Sequence, residues 1–137
     1  GRMVCIAPEG HPLTAQAVVS LAEIARHPQI LYSRHIPFGQ LVAGAFQQAG
    51  VHWGSGVGIE RAEKACALVR AGVGVAIVDQ FSVGTRDWPG IRRMAIRELI
   101  PLTLSIMRSK FEPSSVLSLE FIRLLKLHAA SIVESID

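Results

Sequence analysis

Glu60 to Val78 reads ERAEKACALVRAGVGVAIV, and this stretch decides the fold class. Ala62, Ala65, Cys66, Leu68 and Val69 recur at three- and four-residue spacing, while Arg61, Glu63, Lys64 and Arg70 fall largely on the opposite side. That pattern predicts an amphipathic helix. Gly72 stands where a left-handed C-terminal cap belongs, and Val73 to Val78 carries no polar side chain, as in a strand covered on both faces. A helix passing through so short a turn into a buried strand is an α/β unit.

Gly72 and Gly74 do not make a dinucleotide fingerprint. The third glycine is missing, and the order is helix, glycine, strand, the reverse of what a pyrophosphate site requires. Their structural reading is a cap followed by close packing of helix on strand.

The same unit recurs upstream. Met3 to Ala7 is a short apolar run that stops at Pro8, and PEGHPL supplies turn residues. Ser20 to Glu23, SLAE, has the form of a capping box, opening a short helix that ends before Pro28. Gln29 to Tyr32 reads as a strand, SRHIPFG as a loop, and Phe38 to Ala49 as a helix with Leu41, Val42, Ala45, Phe46 and Ala49 on its apolar side and Gly50 at its end. After Val51 to Trp53, the glycines Gly54, Gly56 and Gly58 read as a turn leading to a helix from Glu60. DQFSVGTRDWPG reads as a polar loop, and Ile91 to Ile96 and Leu102 to Met107 as the last strands. A final helix, Pro113 to about Ser135, is apolar so far round its girth that it calls for two neighbours.

The totals narrow the function. In 137 residues, half are hydrophobic and the formal charge is +3; mean hydropathy is +0.36. Such a chain suits one domain or one lobe of a larger body, with apolar surface meant for a partner or a further segment. The only local concentration of positive charge is IRRMAIR, Ile91 to Arg97, too sparse for a nucleic-acid stripe and read as solvated surface. Cys5 and Cys66 form no CxxC pair and read as small buried hydrophobes in a reducing compartment. No apolar run approaches the roughly 18 residues of a membrane span, and no signal-peptide layout is present, so the expectation is a cytoplasmic protein.

Catalytic and metal motifs are absent. The sequence has no GxSxG, HExxH, paired-cysteine zinc spacing or Walker lysine, and His11, His27, His35, His52 and His128 form no ligand-spaced cluster. No metal, cofactor or enzymatic activity is expected, and His128 reads as a packing residue on an apolar helix face. Two loops suit a small molecule. Tyr32-Ser33-Arg34-His35 and Gly56-Val57-Gly58-Ile59-Glu60 each follow a strand and precede a helix, where unpaired amides and the helix dipole favour an acid group. Ser33 can donate and accept, Arg34 can clamp an acid, and His35 can change its protonation. An ordinary polar loop and a glycine-rich turn explain the same residues equally well.

MVCIAPEGHPL (Met3 to Leu13), VVSLAEIARHPQILYS (Val18 to Ser33), FGQLVAGAFQQAG (Phe38 to Gly50) and above all ACALVRAGVGVAIVD (Ala65 to Asp79) stand in an order and spacing that resemble the effector-binding domain of LysR-type transcriptional regulators. The resemblance implies an α/β fold like a type 2 periplasmic binding protein, two lobes joined by crossover strands with a cleft between them. It implies that residues 1–7 are a hinge crossover, 8–101 the second lobe, and 102–137 the return crossover and closing helix of the first lobe. The rest of that lobe and an N-terminal helix-turn-helix domain, through which alone DNA would be bound, have no counterpart here. It also implies a small anionic or amino-acid-like effector contacting Ser33, Arg34, His35, Ile59 and Glu60, and a homo-oligomer whose state the effector controls. An exported solute receptor of the same fold is the alternative, and an α/β enzyme a third.

Overall fold

A computed structural model of the chain describes residues 1–84, 88–111, 113 and 115–134. Six strands form one mixed sheet: β1 (Met3–Pro8), β2 (Val18–Val19), β3 (Gln29–Tyr32), β4 (Gly56–Ile59), β5 (Val75–Asp79) and β6 (Ile91–Ile96), in the order β2-β6-β1-β5-β3-β4. Helices α1 (Leu21–Ile24), α2 (Pro37–Gln48), α3 (Ala62–Arg70) and α4 (Gln80–Gly84) follow strands, and α5 (Val116–Glu134) closes the described chain. β3, β4 and β5 run parallel, whereas β1 is antiparallel to both β5 and β6. β1 and β5 are the innermost strands, and Val4, Cys5, Ile6, Val75 and Val78 are fully buried. Buried strands that show no alternation are what two covered faces demand.

The α/β unit over residues 60–79 forms, with its ends adjusted. α3 buries Ala62, Ala65, Cys66 and Val69. Gly72 adopts φ +76°, its amide donates to Val69 O and the Val73 amide to Leu68 O, the paired bonds of a Schellman cap. The same arrangement ends α2, with Gly50 at φ +65° bonded to Gln47 O and Val51 to Phe46 O. Because this cap turns the chain outward, Val73 is exposed and the strand begins only at Val75. Gly74 is needed for close approach, but to the Pro28 carbonyl at the entry to β3 rather than to a helix; a Cβ there would strike that carbonyl.

Ser20 completes the capping box of α1. Its Oγ accepts from Glu23 N at 3.2 Å, and Glu23 Oε2 accepts from Ser20 N at 2.7 Å. These bonds, the backbone one foremost, hold the Glu23 carboxyl down at about 2.

Four expectations change. Leu102–Met107 forms no strand: Pro101 makes an isolated antiparallel bridge to Arg2, Gly1 and Leu102 exchange two hydrogen bonds, and Thr103 to Met107 lie exposed. Both edges of β1 are already taken by β5 and β6, so these residues cannot extend alongside it. Gly56–Ile59 is an edge strand instead of a turn, paired in parallel with all four residues of β3. Gln80–Gly84 is a helix because Asp79 Oδ1 accepts from Ser82 N, capping its first turn; residues 85–87 of that expected loop lie outside the described residues. The last helix begins at Val116, its cap being Ser115, whose Oγ accepts from Ser118 N at 3.1 Å; Pro113 precedes it, and Ser135 is outside the described residues.

Candidate functional site at the carboxyl ends of β3 and β4

Parallel pairing of β3 with β4 and β5 sets Tyr32, Ile59 and Asp79 at the same end of the sheet. The backbone continues that register one step further, since Ser33 N donates to Ile59 O at 2.8 Å. Ser33 and Glu60 therefore leave neighbouring strands side by side, and His35 and Glu60 come together with Nε2 3.5 Å from Oε1, both side chains largely exposed. All five expected residues, Ser33, Arg34, His35, Ile59 and Glu60, share this end of the sheet. Ile59 is buried and ends β4, so its side chain supports the shelf from beneath. Glu60 precedes the helix rather than opening it, because Arg61 is still extended at φ −138°, ψ 140°.

α2 and α3 start from this end. Ile36 and Arg61 are their N-caps, and neither helix has a side-chain cap bond. An acid group placed here meets helix amides and the positive ends of two dipoles. Gly39 lets α2 come down on the shelf: a Cβ at that position would collide with the Ser33 carbonyl, so only glycine permits the helix to hold Ser33 in place.

Trp53 is the residue that sequence reasoning left out. Its ring is 7% exposed, stacks on Phe46 at 6.0 Å between centroids and 16° between planes, and carries the Arg34 guanidinium 4.6 Å from its centroid. A guanidinium lying on an indole keeps its N–H edges free to pair with a carboxylate while the cation is held by the ring. An aromatic directly before the glycine run that opens at Gly54 was the available signal.

Among the described residues, three buried polar atoms of this region find no hydrogen-bond partner, namely Tyr32 OH, Asp79 Oδ2 and Trp53 Nε1. Burial first, then the charges of Asp79, Cys66 and Glu63, pushes the Tyr32 phenol up. Burial, with Glu63 and Asp79 nearby, pushes the Cys66 thiol up to about 11, and burial alone pushes Cys5 to about 12. Both cysteines are free and buried, so neither is a poised nucleophile.

Other expectations are corrected or bounded here. His128 is exposed on α5 and borders a cavity, so it packs into no core among the described residues. Burial of α5 is confined largely to Ile132, while Leu117, Phe121 and Leu124 stand exposed. Among the described residues, no group of three or more His, Cys, Asp or Glu side chains could hold a metal ion, and no helix is long and apolar enough to cross a membrane.

Comparison with known proteins places this geometry. The family described as LysR substrate binding domain matches residues 1–130. The transcriptional activator protein LysR of Escherichia coli (strain K12) is 32% identical over 136 residues, which cover 98% of this chain and 43% of that protein. Among solved structures, CbnR, a LysR family transcriptional regulator, matches with TM-score 0.63 and 26% identity over 73% of this chain and 36% of its own. The effector binding domain of BenM with its effector benzoate matches with TM-score 0.67 and 20% identity over 94% of this chain and 61% of its own. The chain thus spans less than half of the curated relative, and the BenM likeness is one of fold. On the family match over residues 1–130 and the 32% identity over nearly its whole length, the chain belongs to the LysR substrate-binding domain family.

Proposed function

We propose that this chain is the effector-sensing part of a LysR-type transcriptional regulator, and that a small anionic or amino-acid-like molecule binds at the carboxyl ends of β3 and β4. The observation that carries the reading is the convergence of Ser33, Arg34, His35 and Glu60 there, pinned by the bond from Ser33 N to Ile59 O. Arg34 on the Trp53 face receives the acid group, Ser33 adds a hydroxyl, and Glu60 with His35 meets an amine or hydroxyl on the same ligand. Ile59 packs beneath.

In this reading residues 8–101 are the second lobe, residues 1–7 the hinge crossover into it, and residues 102–137 return to a first lobe. The exposed apolar side of α5, including Leu117, Phe121 and Leu124, supports that division, since so large a greasy face is suited to cover by more protein. The regulator would act in the cytoplasm as a homo-oligomer and touch DNA through a separate helix-turn-helix domain. No chemistry is required of the site. A ligand that binds one hinge state better by about 1.4 kcal/mol shifts the two populations tenfold.

Calorimetry on the full-length regulator with an acidic effector tests the site. Arg34→Ala is expected to weaken binding more than Ser33→Ala. Unchanged affinity in both variants contradicts it.

A further inference from the structure

The reading above leaves the basic run Ile91–Arg97 without a task. Arg92 and Arg93 of that run belong to β6, on the far side of β1 and β5 from the β3–β4 shelf, and both line a cavity of about 530 Å³. Its other walls are Thr14 and Gln16 from the turn before β2, Val83 of α4, and Trp88. No Asp or Glu is among its described lining residues. Thr14 Oγ1 donates to His11 O, and Gln16 Nε2 donates to Glu23 Oε1, so both walls are fixed by their own bonds. Arg93 Nη1 donates to Val83 O at 3.4 Å, which sets its guanidinium against the wall. The Arg92 side chain makes no hydrogen bond or ion pair among the described residues. Trp88 Nε1 is buried and has no acceptor among the described residues.

Consecutive residues of a strand leave on opposite faces, yet Arg92 and Arg93 both line this one cavity, and among the described residues no carboxylate lines it with them. Two like charges so placed raise the local positive potential, and planar guanidinium forks match the oxygens of a carboxylate or phosphate. The volume falls within the roughly 300–1,000 Å³ of small-molecule sites. We propose that this cavity is a second ligand site that takes a small metabolite through an oxyanion, held by Arg92 and Arg93 against the Trp88 ring.

The test uses the full-length protein labelled with 5-fluorotryptophan, with the Trp88 signal assigned by Trp88→Phe. Inorganic phosphate and, separately, acetate are titrated while fluorine NMR follows that signal, and calorimetry gives the affinity. At least one anion is expected to shift Trp88 saturably in the millimolar range; which one does so distinguishes a phosphate from a carboxylate ligand. Arg92→Ala, exposed and unbonded, and Arg93→Lys, which keeps a donor and the charge, are expected to weaken that binding severalfold, and the pair Arg92→Ala/Arg93→Ala at least tenfold. Arg34→Ala at the shelf leaves it unchanged. A Trp88 signal indifferent to both anions up to tens of millimolar, binding equal in the double variant, or binding lost in Arg34→Ala would each overturn the proposal.

Discussion

His35 and Glu60 meet across the ends of two parallel strands, with Nε2 3.5 Å from Oε1, although they are separated in the chain by all of α2 and β4. Both side chains are mostly in solvent, so their attraction is screened and contributes little to folding. Glu60→Gln is therefore expected to change unfolding stability by less than about 1 kcal/mol and yet to alter affinity for an effector that carries an amine. Urea unfolding and calorimetry on the same preparations separate the two effects. A stability loss well above that bound, with affinity unchanged, would make the pair structural.

Two glycines of α2 should respond in opposite senses. Gly39→Ala drives a methyl group into the Ser33 carbonyl, whereas a Cβ at Gly44 meets nothing. The first substitution is expected to lower stability by about 1–3 kcal/mol and to weaken effector binding by moving Ser33. The second removes chain entropy from the unfolded state and is expected to stabilise by about 0.5–1 kcal/mol. Thermal unfolding of the two variants side by side checks the sign of each.

The capping box at α1 makes a pH-dependent contribution. Glu23 has its carboxyl lowered from 4.5 to about 2 in the folded chain, so it binds its proton more readily when unfolded. Its stabilising effect is whole above about pH 4.5 and fades as pH falls toward about 2. Denaturant unfolding from neutral to acid pH should show a shallower acid loss in Glu23→Gln than in the parent. Ser20→Ala, which removes the cap itself, is expected to cost about 1 kcal/mol at neutral pH. Parallel acid profiles for the parent and Glu23→Gln would contradict the cap's role.

The fold was legible wherever a pattern was local. Glycines at 50 and 72 announced helix ends, SLAE announced a capped helix, and the unbroken apolar run before Asp79 announced a strand covered on both faces. Legibility failed where a partner decided the outcome. GVGI has poor strand propensity, but pairing with β3 makes it one; LTLSIM alternates as a strand should, but β1, the strand that Arg2 and Gly1 bring it beside, is already paired on both sides. The site divided in the same way. Ser33 could be named from the strand before it and Glu60 from the helix expected after it and the family resemblance, whereas the seat of Arg34 on Trp53 depends on α2 carrying Phe46 beneath the ring, which no local pattern reveals.

Hydrogen exchange on the full-length protein, with and without a saturating acid identified by thermal shift, addresses the proposed ligand site most directly. Amides at Ser33 to His35 and at Ile59 and Glu60 are expected to gain protection together. Protection that appears elsewhere in the chain, with those two segments exchanging as in the free protein, would contradict the account.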